Sequence, residues 1–473
     1  MTEAMTTGLA AALAKMRADG AGDDAVSVFE HYYGELASGA TGLIPEESIS
    51  PLPELPYLGD LEVDSVVARD ALAHTVVIKL NGGLATSMGL DRAKSLLPVK
   101  DGRSFLDLIV EQVLALRSEH DVALPLVLMN SFRTRADSLA ALAAYPDLTV
   151  DGLPLDFLQN REPKLTADTL EPVSWPADPE LEWCPPGHAD LYPALRSSGL
   201  LDLLLQKGYR YAFCSNADNL GATANATIAG WVAANGLPFA IESCVRTPAD
   251  RKGGHLAVRR SDGRLILRET AQTADADLDA MADLSKHRYC NSNNLWVDLR
   301  ALAKVLDETG GVLGLPLIRN VKTVDPADET TPSVIQIEAA MGAAVQAFDG
   351  AASVHVDRDR FVPVKSTSDL TVLRSDVYVR QSDGRVVKAA ARKGRVDPFV
   401  ALDDSYYKLM GDYERRFPEG VPSLVGAERF VVEGDVTFGS GVVVRGSVTV
   451  RASDTPAIAD ETVLVGLSPA EPG

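Results

Sequence analysis

The chain has 473 residues, 46% of them hydrophobic and 23% charged, which is the balance of a globular protein with room for roughly three domains. That balance excludes a mostly disordered chain, a collagen and a disulfide-stapled miniprotein. Lys and Arg number 45 against 66 Asp and Glu, a net charge of -21. Such a surface repels polyanions, which argues against general nucleic-acid binding and adhesion to an anionic membrane but leaves room for a small anion in a local basic pocket. Cys184, Cys214, Cys244 and Cys290 form no CxxC pair and no zinc-spaced cluster, so they read as reduced thiols of a cytoplasmic protein. No apolar run reaches the length of a membrane span, and the N-terminus lacks the basic-then-apolar plan of a signal peptide.

In chain order, residues 5–20 and 24–37 predict two short helices, with Leu9, Ala12, Leu13 and Met16, then Val26, Phe29 and Tyr33, at helical spacing. A Pro-rich connector (PEESISPLPELP, from Pro45) follows, so residues 1–70 read as a helical layer and linker. Thr75–Leu80 (TVVIKL), Leu124–Asn130 and Tyr209–Ser215 are apolar runs of the buried-strand type; they alternate with helices predicted at Phe105–Arg117 and Leu191–Lys207. Further strands are predicted at Phe239–Val245, His255–Arg259 and Leu265–Glu269. This βαβ rhythm implies an α/β domain over 71–375 with a mostly parallel sheet, and ligands in such sheets sit at the carboxyl ends of strands. Residues 376–473 differ. After a basic stretch, Val436, Val442 and Val448 recur every six residues and Gly434 and Gly446 lie twelve apart, a period that suggests about three coils of a β-helix, with a hairpin pair as the alternative. The tail from Ala470 is expected to fray.

The chemistry-bearing segment is Leu80–Ser95, LNGGLATSMGLDRAKS, directly after the TVVIK strand. Gly82 and Gly83 let backbone N–H groups approach phosphate oxygens, Thr86 and Ser87 add hydroxyl donors, and Lys94 adds a mobile cation. It is neither a G-x-x-x-x-G-K-[ST] phosphate loop nor a G-x-G-x-x-G dinucleotide fingerprint, which weakens kinase, ATPase and dehydrogenase readings.

LNGGLATSMG followed by AKS resembles the nucleotide loop of the UTP–glucose-1-phosphate uridylyltransferase family, the UDP-glucose pyrophosphorylases of eukaryotic type. The resemblance continues through LVLMNSFRT (126–134), PPGHADLYPAL (185–195), SNADNLGAT (215–223), KGGHL (252–256), NSNNLWV (291–297), VIQIEAAMGAA (334–344) and RFVPVKSTSDL (360–370), and even PEESI (45–49) is similar to the family's linker. It implies a Rossmann-like mixed sheet of the GT-A-like nucleotidyltransferase type, followed by a left-handed parallel β-helix. It also implies a reaction: glucose 1-phosphate and UTP give UDP-glucose and pyrophosphate, by in-line transfer with Mg²⁺ and without a covalent enzyme intermediate.

Residue by residue, the resemblance implies a nucleotide site of Leu80, Asn81, Gly82, Gly83, Thr86, Ser87, Lys94, Gln159, Gly187 and Asp218. Lys94 and Lys365 would be the catalytic cations, since an acidic protein must gather positive charge locally around an anionic transition state. Asp218, at a strand's carboxyl end beside a polyphosphate, is the expected Mg²⁺ ligand. Gln159 matches a glutamine near the uracil edge, where an amide both donates and accepts. The sugar-phosphate site would draw on Gly83, His188, Asn216, Gly253, Gly254, Asn291, Asn293 and Lys365. Asn294 stands with Asn291 and Asn293 in the glucose pocket that the resemblance implies, and Asn219, like Asn216, reads as a sugar or ribose donor or a turn former.

Two positions depart from the family pattern. Ala85 replaces a Gly in GGLGTSMG, which costs about 1 kcal/mol if that position needs a positive φ and nothing otherwise. Arg92 and Ala93 stand where the family has GPKS, adding a cation at the loop mouth. A broader UDP-sugar or N-acetylhexosamine-1-phosphate pyrophosphorylase is the alternative enzyme, and a non-catalytic nucleotide-sugar scaffold the alternative of another class. The C-terminal coils lack an acyltransferase histidine and read as a packing module, whose exposed edge raises the expectation of a homo-oligomer.

Overall fold

A computed structural model describes residues 3–247, 250, 253–326 and 328–466. The side chain of Ser87 and the tail from Ala470 lie outside the described parts. At the centre is a ten-stranded sheet. Its strands in chain order are β1 (Ile49–Pro51), β2 (Thr75–Asn81), β3 (Leu126–Asn130), β4 (Asp156–Leu158), β5 (Tyr211–Asn216), β6 (Phe239–Val245), β7 (His255–Arg259), β8 (Leu265–Arg268), β9 (Tyr289–Asp298) and β10 (Ala352–His355). The main path runs β1-β7-β9-β5-β2-β3-β4, with β8 on β7 and β6 bridging β9 to β10.

The strands form where the sequence places apolar residues on both faces. Val76 and Ile78 of β2 join one apolar cluster and Val77 joins the other, so the strand is buried on both sides as its unbroken β-branched run requires. One face is covered by the N-terminal helices Glu3–Ala18 and Asp23–Ala37 together with Leu191–Ser197, Leu200–Gln206 and Leu299–Glu308. The other is covered by Ser65–Ala73, Phe105–His120 and Ala226–Ala234, and the same apolar cluster runs on to Phe430, Val436 and Val444 of the C-terminal unit.

Two expectations need correcting. The sheet is mixed rather than mostly parallel: β5-β2, β2-β3, β3-β4 and β6-β10 run parallel, but β9 lies antiparallel to β5, β6 and β7. The helix expected over Leu191–Lys207 is two helices, because Gly199 takes φ 73° and ends the first.

In the C-terminal unit, Phe399–Leu402, Ser423–Glu433, Val443–Arg451 and Val463–Val465 form a four-stranded sheet, and Thr437–Phe438 pairs with Ala457–Ile458. All of these pairings are parallel, which a hairpin pair is not. Val436, Val442 and Val448 are buried. Among the described residues no helix is long and apolar enough to cross a membrane.

Candidate active site

The parallel strands bring their carboxyl ends to one edge. Asn81 pairs with Asn130, Asn130 with Leu158, and Asn216 with Leu80, so the residues that follow β2, β4 and β5 emerge side by side. A cavity of about 210 Å³ opens there, lined by Leu80, Asn81, Gly82, Gly83, Lys94, Ser95, Met129, Gln159, His188, Asn216, Ala217 and Asp218.

Each wall has a local cause. The Asn81 side chain is held through Nδ2, which donates to Asn130 Oδ1 and Ser138 Oγ. Gly82 leaves room for its neighbour: a Cβ there would lie 2.4 Å from Gln159 Oε1, so any larger residue would push that amide aside. Gly83 faces open space, and its carbonyl accepts from Lys94 N, which folds the loop back on itself. Ala85 is buried at φ -84°, so the position does not require glycine and the departure there costs nothing in strain. Thr86 and Arg92 are exposed at the loop mouth.

Lys94 Nζ donates to Asp218 Oδ2 at 2.7 Å, while Asp218 Oδ1 is buried without a partner among the described residues. One carboxylate oxygen is thus engaged by the cation and the other is left for a ligand. No group of three or more acidic, His or Cys side chains suited to a metal occurs among the described residues, so Asp218 stands alone as an oxygen donor. The Asp218 carbonyl accepts from Val364 N, which sets Lys365 on the next residue beside the same loop.

His188 accepts at Nδ1 from Met341 N at 2.9 Å, so the proton of its neutral ring sits on Nε2. Loss of water around it and then the charge of Lys365 draw its pKa down to about 4, making it a neutral donor at pH 7. Gly187 takes φ 80° against Ala339.

A second arm extends past Lys365. Glu269 is capped against Gln272, and a Cβ on Gly254 would fall 2.4 Å from its carboxylate. Burial raises the Glu269 pKa and Lys365 pulls it back, so the charge of Lys365 is felt at both His188 and Glu269. Asn291 Nδ2 would meet a Cβ on Gly342 at 2.7 Å. Asn291 Nδ2 donates to Asn293 Oδ1, and Asn293 takes φ 57° beside the β6–β9 register shift. Gly253 precedes Gly254 in the same loop. Asn219 and Asn294 are structural: both are buried, bonded to each other and to the Arg360 carbonyl, and Asn294 also donates to Glu242.

Inspection of the sequence missed Ser95, Met129, Ala217 and Glu269. Glu269 was recoverable: the hairpin turn at 260–264 pairs His255 with Arg268, which sets the residue after β8 opposite the one before β7.

A family model described as UTP–glucose-1-phosphate uridylyltransferase matches residues 26–445. The chain belongs to this family. The UTP–glucose-1-phosphate uridylyltransferase of Solanum tuberosum is 37% identical over 411 residues, covering 87% of this chain and 82% of that protein. UDP-glucose pyrophosphorylase of Leishmania major, solved as a single-residue variant in complex with UDP-glucose, has a TM-score of 0.90 at 41% identity and covers 98% of this chain and 99% of its own. A UDP-glucose phosphorylase structure from Trypanosoma brucei gives 0.89 at 42% identity, covering 98% and 100%. The loop after β2, the Gln159 loop and the Asp218 loop all lie within the matched residues 26–445.

Proposed function

We propose that this protein converts UTP and glucose 1-phosphate to UDP-glucose and pyrophosphate at the carboxyl edge of β2, β4 and β5. The observation that carries the site assignment is the convergence of Gly82–Gly83, Gln159, His188 and the Lys94–Asp218 pair on one cavity, with the charge of Lys365 felt at His188.

In this reading the uracil edge meets the Gln159 amide over the bare Gly82 backbone, near Gly187. The triphosphate lies along Leu80–Gly83, with the hydroxyl of Thr86 at the loop and Lys94 on its charge. Glucose 1-phosphate enters from the second arm. Glu269 accepts from its hydroxyls, Gly253, Gly254 and Asn216 allow close approach and donate, and Asn291 and Asn293 complete the pocket. Lys365 and His188 Nε2–H hold the sugar phosphate. Its oxygen attacks the α-phosphorus in line, the bond to the β-phosphate oxygen breaks, and pyrophosphate leaves, so no protein nucleophile is consumed. The work of the chain is positioning and charge neutralisation, with two lysines reaching the reacting phosphoryl group from either side of the Asp218 loop.

The orphaned Asp218 Oδ1 fits a hard cation that keeps water and phosphate as its remaining ligands. Mg²⁺ held there would neutralise triphosphate charge and make the α-phosphorus more electrophilic. Asp218 would then serve as ligand through Oδ1 while orienting Lys94 through Oδ2.

The same reading divides the chain into a helical region and linker (1–70), the nucleotidyltransferase domain (71–375) and a C-terminal unit (376–473). The parallel sheets of that last unit support coils of a left-handed β-helix. Val463 and Val465 on its terminal strand are exposed, which favours homo-oligomerisation at that edge. The four buried free thiols support a cytoplasmic location.

The test is pyrophosphate release by purified protein from UTP, glucose 1-phosphate and Mg²⁺, run across four nucleotides and four sugar 1-phosphates. UTP with glucose 1-phosphate should be preferred, and Lys365→Ala should lower kcat about 10²-fold, as loss of about 3 kcal/mol from the transition state requires. Equal turnover of N-acetylhexosamine 1-phosphates would favour the broader pyrophosphorylase, and an unchanged kcat would remove Lys365 from the chemistry.

A further inference from the structure

Asp190 stands at the N-terminus of the Leu191–Ser197 helix, where an acidic side chain ordinarily caps the free N–H groups, yet it makes no capping bond. Its carboxylate turns instead to the loop after β4. Oδ2 accepts from Asn160 N at 2.5 Å and Oδ1 from Asn160 Nδ2 at 2.7 Å. Asn160 follows Gln159, and Asp190 stands two residues beyond His188. The two hydrogen bonds therefore tie together the loops that carry opposite walls of the nucleotide cavity.

The bond pair is costly to keep. Asp190 is 4% exposed, and no ion pair reaches it among the described residues. It backs onto a small cavity of about 30 Å³ whose walls include Val28, Tyr32, Leu313 and Leu315. Glu162, also in that wall, supplies no counter-charge, and burial and then Asp190 hold its own pKa well above the usual carboxylate range. Burial lifts the Asp190 pKa to about 7 against the pull of both Asn160 bonds. A buried carboxylate without a cation does not serve stability, so its placement calls for a reason in the site.

Gln159 supplies one. Its backbone N–H is held by Asn130 O at 2.8 Å on the strand side, and its side chain rests on Gly82. On the far side, Arg161 is drawn outward to Asp19 and Glu180. Asn160 is where the chain must turn between these anchors, and Asp190 is the group that holds it. The Gly187–His188 wall is fixed separately, by Ala339 and Met341. Asp190 thus sets the distance between the amide that faces the base and the wall opposite.

We propose that Asp190 is a positioning residue of the nucleotide site, whose two hydrogen bonds to Asn160 hold Gln159 in register with Gly187–His188 and so set the preference for uracil over cytosine. This rests on the reading that Gln159 meets the base.

The experiment measures kcat and KM for UTP and for CTP, with saturating glucose 1-phosphate and Mg²⁺ at pH 8, in wild type, Asp190→Ala, Asp190→Asn, Asn160→Ala and Gln159→Ala. Asp190→Ala should raise KM for UTP about tenfold, the equivalent of one net hydrogen bond, with kcat little changed. It should also narrow the UTP-to-CTP ratio of kcat/KM about fivefold or more. Asp190→Asn should restore most of both, because flipping the Asn160 amide lets the new amide keep two hydrogen bonds. Asn160→Ala retains the backbone bond and should move the same quantities part of the way; it carries the test if Asp190→Ala does not fold. A wild-type KM and base ratio in the Asp190→Ala and Asn160→Ala variants overturn the proposal, as does an Asp190→Asn variant no better than Asp190→Ala. If Gln159→Ala leaves the base ratio unchanged, the reading of Gln159 itself fails and takes this proposal with it. If Gln159→Ala narrows the ratio and Asp190→Ala does not, the positioning role alone falls.

Discussion

Replacing Gly187 with alanine tests whether the wall of the cavity is set by backbone contact. Gly187 has φ 80° and ψ 177°, a region that L side chains avoid at a cost of about 1–3 kcal/mol. A Cβ there would lie 2.7 Å from Ala339 O and 2.8 Å from Ala339 N, both main-chain atoms that cannot swing aside. The loop then has two courses. If it stays, it carries the torsional strain and the contact, about 3 kcal/mol together. If it moves off, it gives up three bonds: Ala339 N to Pro186 O, Ala189 N to Ala339 O, and Met341 N to His188 Nδ1. At about 1 kcal/mol net for each, that is again about 3 kcal/mol. The first course appears in urea unfolding as a loss of about 3 kcal/mol. The second shows the same loss in unfolding together with a fall of about 10²-fold in kcat/KM, because His188 loses the bond that fixes its tautomer. Unfolding followed by circular dichroism and pyrophosphate-release kinetics on the same preparation separates the two. A Gly187→Ala protein with wild-type stability and wild-type kcat/KM would refute the reasoning.

Glu242→Gln should cost about 3–5 kcal/mol in urea unfolding, since Glu242 is wholly buried and accepts from Arg360 Nε and Nη2 at 2.7 Å each, from Asn294 and from Trp296, so the change strands the Arg360 charge; an unchanged midpoint would contradict that. Asp190 gives a pH signature. Its folded pKa of about 7 lies above the ordinary 3.8, so the folded state holds the proton more tightly, and this stabilisation is complete below about pH 4 and lost as pH rises through 7. The span corresponds to about 4 kcal/mol, and the stability of Asp190→Asn relative to wild type should therefore rise between pH 5 and pH 8; a constant difference would show that Asp190 does not titrate in that range. Asp218→Asn keeps an oxygen for Lys94 but removes the charged donor, so half-maximal activity should need about tenfold more Mg²⁺, and a wild-type titration would leave Asp218 without a metal role.

The parts of this protein that read directly from sequence are those whose cause is local. TVVIKL is unbroken because β2 is buried on both faces, and Gly82–Gly83 follow because the chain turns at the strand's end, so a strand, a loop and Lys94 fall within the twenty residues 75–94. The N-terminal helices are equally visible, because Val26, Phe29 and Tyr33 bury one stripe. What the pattern concealed depends on partners far along the chain. β9 carries asparagines through the middle of the sheet, a composition that argues against a strand until Glu242 and the Arg360 carbonyl are found bonding to Asn294. Asp218 pairs with Lys94 across 124 positions, and Glu242 with Arg360 across 118. Asp190 looks like a helix cap in sequence, and only its turn toward Asn160 reveals otherwise. A residue that meets a ligand is recognisable by its own chemistry, whereas a residue that holds it is defined by a partner the linear order does not bring near. Substitutions at Asp190, Gly187 and Glu242 should for that reason disturb this site as effectively as changes to the groups that line it.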